Sequence, residues 1–147
     1  MLEKELEGKI VVLDQVRDWK DAIKKVAEPL LKRGDIENSY VEAIFNKIQK
    51  MGNYIIIEPK IAMPHARPED GVNKTCISFL KINEGVLFDG EEEKVYLIFM
   101  LAASDNSSHI DILKDLMEII DDEDKIEKLI SVKSIEETKK LLKGKER

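Results

Sequence analysis

The sequence predicts a single domain in which helices flank a β-sheet, of the α/β or α+β class. Three observations carry this. Apolar residues recur first at helical spacing, then in short strand-like runs, then at helical spacing again. At 147 residues with 43% hydrophobic content, the chain has the size and the apolar material for one packed core. No internal repeat, low-complexity tract or Pro/Gly/Ser linker interrupts it, so residues 1–147 are expected to form one unit.

Ile10 to Leu13 reads as a short opening strand. Asp18 stands at a helix N-cap position, and Trp19, Ile23, Val26, Leu30 and Leu31 follow at helical spacing until Gly34 ends the helix. Asn38 or Ser39 is the expected cap of a second helix, whose stripe is Val41, Ile44, Phe45 and Ile48 and whose end lies near Gly52. Tyr54 to Ile57 and Ile61 to Met63 are short runs rich in β-forming residues, joined by the turn-like Glu58-Pro59-Lys60. A polar loop from His65 to Asn73, with Pro68-Glu69-Asp70-Gly71 as its turn, leads into strands over Thr75 to Ile82 and Val95 to Leu101. Ile110, Leu113, Leu116, Met117 and Ile120 read as one apolar helix face, and Ser134-Ile135-Glu136-Glu137 opens a last helix with a capping box.

Composition excludes several functions. Net charge is −6, and the 24 basic residues are dispersed among 30 acidic ones with no basic stripe, which argues against a nucleic-acid partner. The longest apolar stretch, Val95 to Ala103, is nine residues, against the roughly 20 that a membrane-spanning helix needs. The first residues lack the apolar block of a secretory signal, so a cytoplasmic protein is expected. The single cysteine, Cys76, lies in an apolar strand without a nearby histidine in sequence and reads as a buried structural thiol. Trp19 and Phe88 read as core residues. Glu91-Glu92-Glu93 and Asp121-Asp122-Glu123-Asp124 read as solvated charge runs rather than metal ligands, the second also suiting a helix start.

The chain has two histidines, each in a loop after a predicted strand. Such loops are where a rigid sheet presents reactive groups. In Ile61-Ala62-Met63-Pro64-His65-Ala66-Arg67, Pro64 fixes its own φ and biases Met63 toward extended backbone, so the strand delivers the His65 imidazole in a set direction. Arg67, two residues on, carries a forked guanidinium suited to phosphate oxygens. In Ala102-Ala103-Ser104-Asp105-Asn106-Ser107-Ser108-His109, Ser107 or Ser108 is the expected N-cap, which would put His109 in the first turn of the following helix, a place that favours anions. Neutral imidazole is available near pH 7 and attacks through one nitrogen while an acceptor holds the other. Phosphoryl transfer asks mainly for in-line positioning and charge stabilisation, which oriented donors such as His109 and backbone N–H groups supply. No Gly-rich phosphate loop is present, so ATP is not expected to bind directly.

At Ile61-Ala62-Met63-Pro64-His65-Ala66 the chain resembles the enzyme IIA component of the bacterial sugar phosphotransferase system, in its mannitol/fructose-type superfamily. Supporting residues are Gly71-Val72, Phe88, Val95 to Leu101, and Leu101-Ala102-Ala103-Ser104-Asp105 through His109 to Leu113 and Leu116. Gly52-Asn53-Tyr54-Ile55 and Ala66-Arg67-Pro68-Glu69 are most similar to the ascorbate-type branch. The resemblance implies an α/β domain with a central mixed sheet flanked by helices. It also implies that the phosphocarrier HPr phosphorylates His65, that His65 donates to a cysteine of an enzyme IIB component, and that His109 lines the pocket. No cofactor or metal is implied, the phosphoryl group coming from phosphoenolpyruvate through HPr. Mannitol-type members carry an arginine on the helix before the strand, where this chain has Gln49 and Lys50. Arg67, Ser108 and Lys50 are therefore the candidates for holding the phosphate.

Two other readings remain at this level. A regulatory module of the same fold would use phosphorylation of His65 to control a transcriptional regulator, although the chain has no DNA-binding segment of its own. A zinc hydrolase would ligate metal through the two histidines and Asp105, but two histidines make a poor catalytic set.

Overall fold

The computed structural model describes residues 2–143. Its elements in chain order are α1 (Leu2–Glu5), β1 (Ile10–Leu13), α2 (Trp19–Arg33), α3 (Asn38–Met51), β2 (Ile56–Glu58), β3 (Ile61–Ala62), β4 (Cys76–Val86), β5 (Val95–Ala102), α4 (Ile110–Ile120), α5 (Glu123–Ser131) and α6 (Ile135–Leu142). The five strands form one mixed sheet in the order β1-β4-β5-β3-β2. β1 runs parallel to β4 and β3 parallel to β5, whereas β4–β5 and β2–β3 are antiparallel.

Alternation along the central strands divides the core in two. Leu80 and Ile82 of β4 join Ile98, Met100 and Ala102 of β5 on one face, under α2 and α3. Ile77 and Phe79 join Leu97, Phe99 and Leu101 on the other, under α1, α4, α5 and α6. Helices thus cover both faces of the sheet. No helix among the described residues is long and apolar enough to cross a membrane.

Local signals place the ends of α2 as expected: the Asp18 carboxylate accepts the Asp21 N–H, and Gly34 closes the helix in the left-handed region at φ 75°. Trp19 and Phe88 are buried and stacked at 5.6 Å, both in the first core. Ser134 caps α6, accepting the Glu137 N–H, and Asp122 caps α5. The second predicted cap is corrected. Glu37 holds the N-cap of α3 without a side-chain bond, while Ser39 donates to the Asp70 carbonyl at 2.8 Å. A long-range partner has drawn the serine away from local capping.

The strand after Tyr54 begins two residues later than expected, and the short α1 was not anticipated. The face of α4 is also corrected: Ile112, Leu116, Ile119 and Ile120 are buried, while Ile110 and Met117 are 51% and 37% exposed. Seven of its residues are apolar in a helix of 11, too many for one stripe, so packing decides which face turns inward.

Candidate functional site

β3 and β5 lie side by side in parallel register, with Ile61 opposite Leu97 and Ala62 opposite Ile98. The loop carrying His65 leaves the C-terminal end of β3, and the loop leading to His109 leaves the C-terminal end of β5. Both histidine segments therefore emerge at one end of the sheet, beside the start of the antiparallel β4.

His65 is half-buried, behind the buried Pro64. Its Nδ1 lies 2.7 Å from the Met63 carbonyl oxygen. That oxygen can only accept, so Nδ1 carries the ring proton and the lone pair resides on Nε2. The ring meets Tyr54 edge to face, with centroids 5.2 Å apart. The Tyr54 hydroxyl donates to the His65 carbonyl, and Lys47 Nζ lies 5.9 Å over the Tyr54 ring.

The 3₁₀ turn Pro68–Asp70 closes the His65 loop against the start of α3. Glu37 N–H donates to the Gly71 carbonyl at 2.8 Å, and a Cβ on Gly71 would come within 2.5 Å of Ser39 Oγ. Only glycine suits that approach at φ 133°. Arg67, expected to reach toward phosphate, instead shares its charge with carboxylates of its own turn: Nε is 3.3 Å from Glu69 and 3.8 Å from Asp70. Its backbone N–H donates to Asp70 Oδ2 at 2.9 Å. Lys50 lies exposed in the last turn of α3 and makes no ion pair among the described residues. Lys47, rather than Lys50, is the α3 cation stacked on the ring that touches His65.

The second histidine corrects the expected capping. His109 itself occupies the N-cap of α4, at φ −97° and ψ 0°, without a side-chain cap bond. Asp105 Oδ1 accepts the N–H groups of Ser107 at 2.9 Å and Ser108 at 2.6 Å. The Ser108 hydroxyl is bonded to Thr75, which also holds Ser104 through its side chain and its N–H, each at 2.9 Å. Ser108 is thereby committed within its loop, and the helix starts one residue later. The N–H of Ser107, then that of Ser108, hold the Asp105 carboxyl below the usual carboxylate range. His109 Nδ1 is buried and has no hydrogen-bond partner. A buried polar atom without a partner is rare in a folded chain.

Three residues of the site were missed in the sequence. Tyr40 is fully buried on α3; its hydroxyl accepts the Ala66 N–H at 3.0 Å and donates to the Leu101 carbonyl at 3.0 Å. Its position in the stripe with Ile44 and Ile48 marks it as core, and nothing local shows where its hydroxyl goes. Tyr54 and Thr75 are equally silent, because each bonds a segment distant in sequence. The backbone amides of Ala66 and Arg67 are both occupied, by Tyr40 and Asp70. Burial raises both tyrosines, Tyr54 to about 12, so their hydroxyls stay protonated at neutral pH. Cys76, buried as expected, is pushed up to about 12 by desolvation and is no nucleophile. A groove of about 590 Å³ between β1 and α2, lined by Val11, Leu13, Lys25 and Pro29 among others, contains neither histidine.

Similarity to known proteins agrees with this arrangement. The family model for the phosphoenolpyruvate-dependent sugar phosphotransferase system, EIIA 2, matches residues 6–145. A mannitol-specific cryptic phosphotransferase enzyme IIA component of Escherichia coli (strain K12) is 37% identical over 128 residues, 87% of each chain. The solution structure of the E. coli protein of that name superposes with a TM-score of 0.89 at 33% identity, covering 97% of this chain and 98% of that one. An ascorbate-specific EIIA component of Shigella boydii is 27% identical over 130 residues, 87% of this chain and 84% of its own. The E. coli structure of enzyme IIA for mannitol in complex with phosphorylated enzyme IIB matches at TM-score 0.75 and 31% identity, covering 91% of this chain and 93% of that one. The mixed sheet flanked by helices, the family match over residues 6–145 and these relatives together place this chain in the enzyme IIA type 2 family of the sugar phosphotransferase system, a family of phosphotransferase relay components.

Proposed function

We propose that this chain is the phosphocarrier of a sugar phosphotransferase system, taking a phosphoryl group from phospho-HPr onto Nε2 of His65 and passing it to a cysteine of an enzyme IIB partner. The observation that carries the reading is the bond between His65 Nδ1 and the Met63 carbonyl, which leaves Nε2 as the nucleophilic nitrogen. In the first step the Nε2 lone pair attacks phosphorus, a new N–P bond forms, and the donor's bond to phosphorus breaks with its electron pair returning to HPr. In the second, the IIB thiolate attacks, an S–P bond forms, and the N–P bond breaks to restore the lone pair. The proton stays on Nδ1, donated to the Met63 carbonyl throughout, which favours the positive charge shared by a phosphorylated imidazole.

His109 serves as a donor to the phosphoryl oxygens, a role supported by its place at the start of α4. Arg67, Lys50 and Ser108 are secondary candidates, Arg67 requiring release from Glu69 and Asp70. The IIB partner is supported by the complex formed by the mannitol relative. The sugar is chosen in the membrane component, so mannitol-type and ascorbate-type relatives can share this site.

The test is intact-protein mass after incubation with phosphoenolpyruvate, enzyme I and HPr. Wild type should gain one acid-labile phosphate and His65→Ala none. His109→Ala should still be phosphorylated, but with transfer slowed about 10² to 10³-fold, the usual effect of removing one charge-stabilising donor. Wild type that gains nothing from active donors would sink the relay and bring the regulatory reading forward.

A further inference from the structure

A trans peptide unit carries one acceptor and one donor on opposite sides, and the unit after His65 has both held by tyrosine hydroxyls. Tyr54 donates to the His65 carbonyl, and Tyr40 accepts the Ala66 N–H. We propose that Tyr40 and Tyr54 are positioning residues that clamp the His65–Ala66 peptide, presenting Nε2 in one fixed attitude and, through Tyr40, holding the His65 loop in register with the loop that leads to His109.

Rotation about ψ of His65 and φ of Ala66 would swing this peptide, and each hydroxyl opposes that swing from its own side. The bond from Nδ1 to Met63 restrains the ring itself. Backbone and imidazole are thus pinned at three points, two of them supplied by residues from outside the loop. Tyr40 adds the link between loops: the hydroxyl that accepts from Ala66 donates to Leu101, near the end of β5, where the second loop departs. Phenylalanine would fill the same buried volume, so what the hydroxyl adds is direction rather than packing. Tyr54 acts on the ring too, through their edge-to-face contact.

The proposal deepens the relay reading and rests on it for its rate consequence. Tyr40→Phe and Tyr54→Phe each remove one oxygen. Each is expected to lower the rate of phosphoryl uptake at saturating phospho-HPr by roughly tenfold to a hundredfold, the scale of a small misplacement of reacting groups, with KM for HPr unchanged. The double variant should lose less than the product of the single losses, since a peptide freed on one side can already swing. In unphosphorylated protein, ¹⁵N spectra of the His65 ring should show the Nδ1–H tautomer in wild type and a mixture of tautomers in the variants. Variants whose rates match wild type after correction for the folded fraction, with an unchanged tautomer, would overturn the clamp and leave the tyrosines as packing residues. If Tyr40→Phe fails to fold, the half-buried Tyr54 carries the same two readouts. If wild type takes up no phosphate, the relay itself fails, and the tautomer comparison still decides the clamp: a mixture supports it and an unchanged ring overturns it.

Discussion

One carboxylate organises the loop that delivers His109. Asp105 accepts two consecutive N–H groups, and those bonds are strongest while it is ionised. A carboxyl whose folded pKa is depressed contributes order that is present above its unfolded pKa and lost as pH falls through its folded one. The loop should therefore hold its geometry at neutral pH and loosen only in acid, below about pH 4. Asp105→Ala should remove the order at every pH. We expect the Ser107 and Ser108 amides to exchange with solvent at least about tenfold faster at pH 7, an opening that local rather than global unfolding governs. Unchanged exchange would mean that Thr75 alone holds the segment. At this scale the set direction of the His65 imidazole was legible, because Met63-Pro64-His65 is a local signal. The partners of Arg67 and Ser108 were not, since the long arginine can reach several neighbours and the serine's partner, Thr75, is brought to it only by the fold.

Among the elements, α5 is fastened to the sheet by an unusual device. Lys81 is fully buried on β4, and its ammonium donates to Asn83 Oδ1 at 2.7 Å and to the Ile130 carbonyl at 3.0 Å, near the C-terminal end of α5. A cation is favoured there by the helix dipole. Burial nevertheless pulls its pKa below the ordinary lysine value, with the nearby Lys133 charge acting in the same direction. The folded state then holds this proton less tightly than the unfolded chain does. Its contribution to stability is lowest at neutral pH and rises as pH climbs from the folded pKa toward the unfolded value near 10.4. Lys81→Met should change neutral stability by no more than about 1 kcal/mol, the lost bond to Ile130 being offset by relief of the buried charge. Wild type should then gain on the variant as pH rises, in paired urea titrations. The buried Cys76 has the opposite dependence and cancels in that comparison. Parallel behaviour of the two proteins at all pH values would show that Lys81 is wetter than its burial implies.

Across the whole molecule, β4 and β5 each contribute to both cores, so neither core can be lost without disturbing the other. Phe79 and Phe99 pack at 4.6 Å on one face, whereas Trp19 lies on the other. Phe99→Ala should cost about 3–5 kcal/mol. Trp19 fluorescence and far-UV circular dichroism should still report one coincident urea transition at a lower midpoint, as a two-state domain requires. Separate transitions would mean that the two layers fold independently.

The sequence by itself determined most of the elements and the family to which the chain belongs. Helix periods, the Asp18 and Ser134 caps, Gly34 and the strand runs depend on neighbours within a few residues, and so does the Pro-His pair that presents the imidazole. Tertiary structure alone decided the strand order, the inward face of α4, the carboxylates that hold Arg67, and the tyrosines around His65. Tyr40 and Leu101 are 61 residues apart, and Thr75 and Ser104 are 29 apart. Such pairs leave no periodic trace in the chain, because the hydrogen bond that joins them depends on where the sheet carries each backbone rather than on what lies beside it in sequence.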